Sequence, residues 1–329
     1  FHRRFYHPSN SYIYLYGDMD IDETLKFIDQ EYLSHFDARN VYSAVKTQSP
    51  LPKRKIVEAP FGISENESLE KKTIHALYIA LNDHITTEES LAFKILSYVL
   101  VDMDGAPLKK AVLDAGIGND VSSAYGDSYK QPVWTIEVTG SEIDKREKFI
   151  STVDLVLRNL ALDGIDRNML EAALNRTEFI LRENDFQGKP KGLLYGVRAM
   201  DLWLYDRDPM QALKYIDDIK ELRNNLDKGY FENLLLKYVI KNTHQVLITM
   251  KPERGLTEKK NKETAEKLAA FKSSLSHEQL EEIVESTKAL KERQASMETE
   301  GALKTIPLLS RKDLKREIED DSLIEEDLN

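Results

Sequence analysis

A long run of helical pattern, from Asp144 to Lys241, is bracketed by short segments of strand character, and this bracketing limits what the chain can become. Before the run comes Val133 to Thr139, in which Trp134, Ile136 and Val138 share one face of a strand. After it comes Gln245 to Met250. Helices placed this way must bury their apolar stripes against a sheet made of what precedes and follows them. That predicts an α+β architecture, a mainly antiparallel sheet with helices packed on one face. The run itself divides into helices at Asp144 to Leu162, Asp166 to Glu183, Leu193 to Leu204, Pro209 to Leu226 and Lys228 to Lys241. A glycine-interrupted turn at Gly188 to Gly192 separates the second from the third.

Upstream, Lys55 to Ile63 and Lys71 to Leu81 read as strands. The second carries apolar residues on both faces, as expected of a strand covered on both sides. Thr86-Thr87-Glu88-Glu89 is a capping box that opens a helix reaching about Val101. Gly105-Ala106-Pro107 breaks that helix and starts a short one ending at Gly116. Val121 to Tyr125 then forms a hairpin or adjacent strand with Val133 to Thr139. Beyond Lys251, Thr257 to Ser274 and a second capped helix from Ser276 make an αα-hairpin. If its stripes, Leu268, Phe271 and Leu275 against Leu280, Ile283 and Val284, pack on one another, truncating Phe271 to alanine costs about 2–4 kcal/mol.

Several function classes drop out. Cysteine is absent from the 329 residues, so there are no disulfides, thiolate metal sites or cysteine nucleophiles. A formal charge of -11 argues against nucleic acid as a partner. The longest apolar run, Leu91 to Val101, is interrupted by Lys94 and Ser97 and is too short for a membrane span of roughly 20 residues, so no membrane partner is expected. With no signal-peptide pattern, the expected location is the cytoplasm, or an organelle in a eukaryote.

The first residues, Phe1 to Ser11, lead through Tyr6-His7-Pro8-Ser9-Asn10 into Tyr12-Ile13-Tyr14-Leu15-Tyr16, Gly17-Asp18 and a helix from Asp22 to Phe36. This stretch, with Asp208-Pro209 before a helix and the charged segment Lys251 to Arg293, resembles the insulinase-like (pitrilysin-type, M16) zinc metallopeptidases, in the branch of the presequence peptidases. The resemblance implies two bowl-shaped halves around a chamber where unstructured peptides are cut. Each half has two similar α+β domains, and only the first of the four holds zinc. On that reading, residues 1–40 are the terminal strand and helix of the preceding catalytic domain, 41–54 a linker, and 55–250 the second, non-catalytic domain. Residues 251–300 are the helical hairpin linker, and 301–329 the start of the second half or a tail. Tyr12 to Tyr16, parted from its own sheet, is expected to be poorly or adventitiously paired.

The zinc motif of that family is H-x-x-E-H on a helix, where histidines four apart reach one ion. None of the seven histidines opens it. His84 lacks both the acid and the second ligand, and in His277-Glu278-Gln279-Leu280-Glu281 the last residue is Glu281 where the direct motif needs histidine. His2, His7, His35 and His244 read as structural or surface groups, and His75 as a buried, hydrogen-bonded one. Gly116-Ile117-Gly118 lacks the third glycine of a dinucleotide loop, because position 121 is Val. Gly188-Lys189-Pro190 is no phosphate loop, Gly140-Ser141 no nucleophile elbow, and Asp102 and Asp104 beside Gly105 read as a solvated turn. No catalytic, metal or cofactor-binding residue is therefore assigned. The expectation is a non-catalytic portion of a zinc metalloendopeptidase, forming chamber wall and hinge, with zinc in the parent and none in this chain. Its partners are the catalytic domain, the second half and peptide substrates. The alternative is a stand-alone, catalytically inactive homologue acting as an assembly or peptide-binding subunit.

Overall fold

The computed structural model describes residues 1–83, 85–183, 189–306, 308, 310 and 311. His84, Gly188 with the start of its turn, and residues 312–329 lie outside the described residues. The chain divides into two units, residues 1–258 and residues 259–329.

In the first unit β1 (Lys55–Ile63), β2 (Thr73–Ala80), β3 (Asp120–Gly126), β4 (Val133–Ser141) and β5 (Gln245–Arg254) form one sheet in the order β1-β5-β2-β4-β3. β1 runs parallel to β5, and the other neighbouring pairs are antiparallel. The register places His75, Leu77 and Ile79 of β2 opposite Val138, Ile136 and Trp134 of β4 and opposite Thr249, Leu247 and Gln245 of β5. All nine are buried, and they form the floor of the core.

The helices cover that floor. After α1 (His2–Phe5) and α2 (Ile21–Glu31) come α3 (Thr87–Ser97) and α4 (Pro107–Asp114), then α5 (Arg146–Asp163) and α6 (Arg167–Glu183). α7 (Lys191–Trp203), α8 (Tyr215–Asn224) and α9 (Tyr230–Leu235) complete the layer. Phe93 of α3, Phe149 of α5 and Phe231 of α9 are fully buried in one cluster with Trp134. The capping box at Thr86 forms as the spacing requires, and its Glu89 also accepts from Tyr238 Oη at 2.8 Å, joining the start of α3 to the segment after α9. Both α3 and α9 run on into a π-helical turn, Tyr98–Asp102 and Leu236–Ile240. Before β1, Arg54 forks onto Asp154 of α5 at 2.7 and 2.9 Å and donates to Gln245 at 2.8 Å, fixing the edge strand to both layers.

Three expectations change. The helix read from Pro209 to Leu226 is a 3-10 turn, Pro209–Leu213, followed by α8, because Lys214 at φ -98, ψ 70 leaves the helical region. Tyr12 to Tyr16 is unpaired, as expected of it, but is not a strand; it lies along α7, where Gly192 and Gly196 leave room for the rings. A Cβ on Gly192 would sit 2.1 Å from the Tyr16 ring and one on Gly196 2.8 Å from that of Tyr14, while Tyr12 packs 4.4 Å from Trp203.

The third concerns the second unit, where α10 (Leu256–Ser274) continues, followed by α11 (His277–Ala295) and α12 (Glu300–Lys304). The capping box at Ser276 is present. The stripes do not bury one another: Leu268, Phe271, Ile283 and Val284 are each exposed, and Leu275 and Leu280 are half-buried. Phe271, 57% exposed, leaves no cavity when truncated. Phe271→Ala is therefore expected to move the unfolding free energy by no more than about 0.5 kcal/mol, read from a urea titration, in place of the larger cost of a packed stripe.

Candidate functional site

Because side chains alternate across a strand, the face of the sheet turned away from the helices carries the other half of each strand. On β1, β5 and β2 that half is apolar. Val57 and Ala59 lie opposite Ile248 and Met250, Phe61 follows on the same face of β1, and on the other side of β5 Tyr78 and Ile74 lie opposite Val246 and Met250. All eight are half-buried, neither sealed by a second layer nor fully open. The expectation of a strand covered on both sides thus holds only for the helix side of β2; neighbouring side chains shield the other. On β4 and β3 the same face turns polar through Thr135, Glu137, Thr139 and Ser122. The structure therefore presents a sheet surface with an apolar half and a polar half.

A second concavity, of about 950 Å³, opens between α3, α6, α7 and the start of α8. Its walls include Leu91, Tyr98, Ile180, Leu202, Tyr205 and Tyr215. Sequence reading missed it, since its walls come from segments far apart in the chain and no local motif marks them.

His75 is fully buried, with Nδ1 3.0 Å from Thr249 Oγ1 and Nε2 3.0 Å from the carbonyl oxygen of Glu142. A carbonyl can only accept, so Nε2 carries the proton and Nδ1 accepts from the threonine hydroxyl, which makes the ring neutral. Burial pushes its pKa below the ordinary value, opposed by the Glu142 carbonyl and aided by the Arg146 charge. Above about pH 6.5 the folded and the unfolded ring are both neutral and the full stability is present. Below it the unfolded chain takes a proton that the folded chain refuses, so stability falls with pH until the folded pKa is reached. Urea unfolding between pH 8 and 5 is expected to show this decline, and His75→Asn to be less stable but to have a flatter profile there.

The other singled-out residues are dispersed. His2 stacks on Tyr6, His7 Nδ1 accepts from the Ser9 amide at 3.1 Å, and His35 sits in a 3-10 turn. His244 is buried at the start of β5, and the His277 Nε2 pairs with Glu281 at 3.2 Å on an exposed helix face. Gly116, at φ +62, ends α4, and a Cβ on Gly118 would lie 2.6 Å from the Thr139 carbonyl oxygen, so this pair makes a tight turn against β4. Ser141 donates to the Ile117 carbonyl oxygen and is spent there. Asp102 and Asp104 precede Gly105 at the surface. Among the described residues no three His, Asp or Glu side chains converge on a common point that could hold a metal ion, and no helix is long and apolar enough to cross a membrane. The donor set of the family's zinc motif is not in this sequence, so the residues present do not fit that ion.

Comparison with known proteins fits this geometry. The profile described as "Peptidase M16 inactive domain" matches residues 1–177, and a second profile, for the region associated with the C subfamily of the same peptidases, matches residues 250–328. Protein HypA of Clostridium perfringens (strain 13 / Type A) is 41% identical over 96% of this chain and 33% of its own length. Presequence protease 1, chloroplastic/mitochondrial, of Arabidopsis thaliana is 30% identical over 96% of this chain and 30% of its own. The chain thus spans about a third of the length of these curated relatives. Among solved structures, a protease from Helicobacter pylori superposes with a TM-score of 0.51 at 15% identity, covering 72% of this chain and 53% of that one. The peptidase M16 inactive domain from Pseudomonas fluorescens gives 0.50 at 16%, covering 72% and 52%. These two likenesses bear on the fold, while the profile over residues 1–177 bears on ancestry. The chain belongs to the peptidase M16 family, as a protein that carries its inactive domain.

Proposed function

We propose that this chain is the non-catalytic portion of a zinc-dependent metalloendopeptidase of the presequence-protease type. In this reading the half-open sheet face is one wall of the chamber in which peptides are degraded. Its partners are a catalytic domain bearing H-x-x-E-H, a second half, and unstructured peptides. Residues 1–40 belong with the catalytic domain, 41–54 link, 55–250 form the wall, and 251–300 act as the hinge, with 301–329 leading onward. Zinc is held by the catalytic domain and not by this chain. The location is the cytoplasm, or an organelle in a eukaryote, as for the Arabidopsis relative.

The observation that carries the reading is the asymmetry of the sheet. On β2, β4 and β5 one face is sealed by helices, while the other leaves Tyr78 and Ile248, with Phe61 on the edge strand, half-buried, as suits a surface that meets transient peptide and not a permanent layer. The test places a photo-crosslinking residue at Phe61 or Tyr78, and a control at Leu155 on the outer side of α5, in a polypeptide of the relatives' full length. A labelled peptide substrate is expected to crosslink at the sheet positions and not at Leu155. Equal labelling at all three, or labelling at Leu155 alone, contradicts a chamber wall.

A further inference from the structure

The cavity beside α7 lies on the helix side of the sheet and plays no part in the wall just described. Its volume of about 950 Å³ is that of a small-molecule site, since such sites run to roughly 300–1,000 Å³. More of its wall area is apolar than polar, with aliphatic and aromatic side chains set between charged and hydroxyl groups.

The charges decide what it accepts. Among the described residues the lining carries Lys94, Lys130, Arg176, Arg198 and Arg207 against Asp83, Asp127, Asp201 and Asp218, a surplus of one positive charge in a chain of -11. The acids have hydrogen bonds already. Asp127 takes the Lys94 ammonium at 2.6 Å and the Ser90 hydroxyl at 2.9 Å, and Asp83 accepts from Thr47. Asp201 is hydrogen-bonded to Ser128 and Asp218 to Thr87. Two of the bases lack a carboxylate at contact distance, though the Asp102 charge reaches Arg176. Among the described residues no carboxylate comes within ion-pair distance of Arg176 or Arg207. The Arg176 Cζ sits over the Tyr98 ring, 4.3 Å from its centroid, a cation–π contact that does not consume the guanidinium's N–H donors. Arg207 follows Asp206, at φ +60 in the left-handed region that aspartate tolerates, and its own amide donates to the Leu202 carbonyl oxygen at 3.1 Å. That turn fixes the backbone from which Arg207 extends into the cavity.

We propose that this cavity is a binding site for a small monocarboxylate with an apolar body, its head held by the forks of Arg176 and Arg207 and its body laid against Leu91, Ile180, Leu202, Tyr205 and Tyr215. A single negative charge matches the surplus of one among the described lining residues; a doubly charged phosphate would face their four acids with too little to balance it. Guanidinium and carboxylate pair through two parallel hydrogen bonds, which selects a carboxylate over an amide of the same shape. The same chemistry is offered by a medium-chain fatty acid and by the free C-terminus of a short apolar peptide.

Isothermal titration of the whole chain with sodium decanoate and with N-acetyl-Leu-Leu-Phe, each beside its neutral amide, tests this and tells the two sources apart. At least one acid is expected to bind saturably with one site per chain, with its amide weaker by about tenfold or more. Arg176→Gln and Arg207→Gln should each weaken the acid by about tenfold while leaving the circular dichroism spectrum unchanged. Arg207→Lys, which keeps the charge but loses the fork, should fall between Arg207→Gln and the unaltered chain. No saturable binding of either acid, equal affinity for acid and amide, or folded Arg176→Gln and Arg207→Gln proteins that bind as the unaltered chain does would each overturn the proposal. None of these outcomes depends on the peptidase reading, because no turnover is measured.

Discussion

Phe93→Ala is expected to cost the first unit about 3–5 kcal/mol of unfolding free energy, a large part of the roughly 5–15 kcal/mol that holds a typical domain together. Phe93 is fully buried on α3, and its ring lies 5.5 Å from that of Tyr125, 6.1 Å from Trp134 and 5.9 Å from Tyr238. It therefore joins one helix to two strands and to the π-helical turn after α9. The surroundings cannot collapse into the space it leaves. Trp134 is fixed by its Nε1 donating to Ser123 Oγ at 2.8 Å, and Tyr238 by its bond to Glu89. The void stays, and its cost adds to the lost burial. A loss below about 1 kcal/mol in urea titrations would mean that the core relaxes freely, contrary to this packing. The contrast with Phe271→Ala is informative, because the same deletion on an exposed helix face removes no buried contact.

The difference between those two phenylalanines also shows what the sequence could reveal. Periodicity gives each helix an apolar face, but it does not say what covers that face. Around Phe93 the cover comes from β3, β4 and the turn after α9; around Phe271 nothing among the described residues seals it. Local chemistry was legible: both capping boxes, the start of α4 at Pro107, and the alternation of Trp134, Ile136 and Val138 appear where the residues put them. Strand order was not, because β1 pairs in parallel with β5 across almost two hundred intervening positions, a choice no window of sequence contains. That pairing carries β5 on to Arg254, past Pro252, where a strand normally ends. The proline lies beyond Met250, the last residue of β5 that pairs with β2, so its missing N–H breaks no bond to that strand. The apolar residues on both faces of β2 announced a second surface, though not that it would be left half-open. The cavity gave no signal, since its arginines are ordinary residues until the fold sets them beside Tyr98, Tyr205 and Tyr215.

The second large effect is on activity. If the chain is wall and hinge and not catalyst, it lacks both the group that would hold zinc and the glutamate that would activate a water on it. Neither half-burial of the sheet face nor the arginines of the cavity supplies a nucleophile. A polypeptide of the relatives' length with an intact H-x-x-E-H helix should exceed the peptide turnover of this chain by on the order of a millionfold or more, the usual span between an enzyme and uncatalysed hydrolysis. The direct measurement is metal analysis of the purified chain after dialysis, together with hydrolysis of a fluorogenic peptide by the same sample. The account predicts no stoichiometric zinc and no turnover above the uncatalysed rate; one zinc per chain with turnover abolished by a chelator would contradict it.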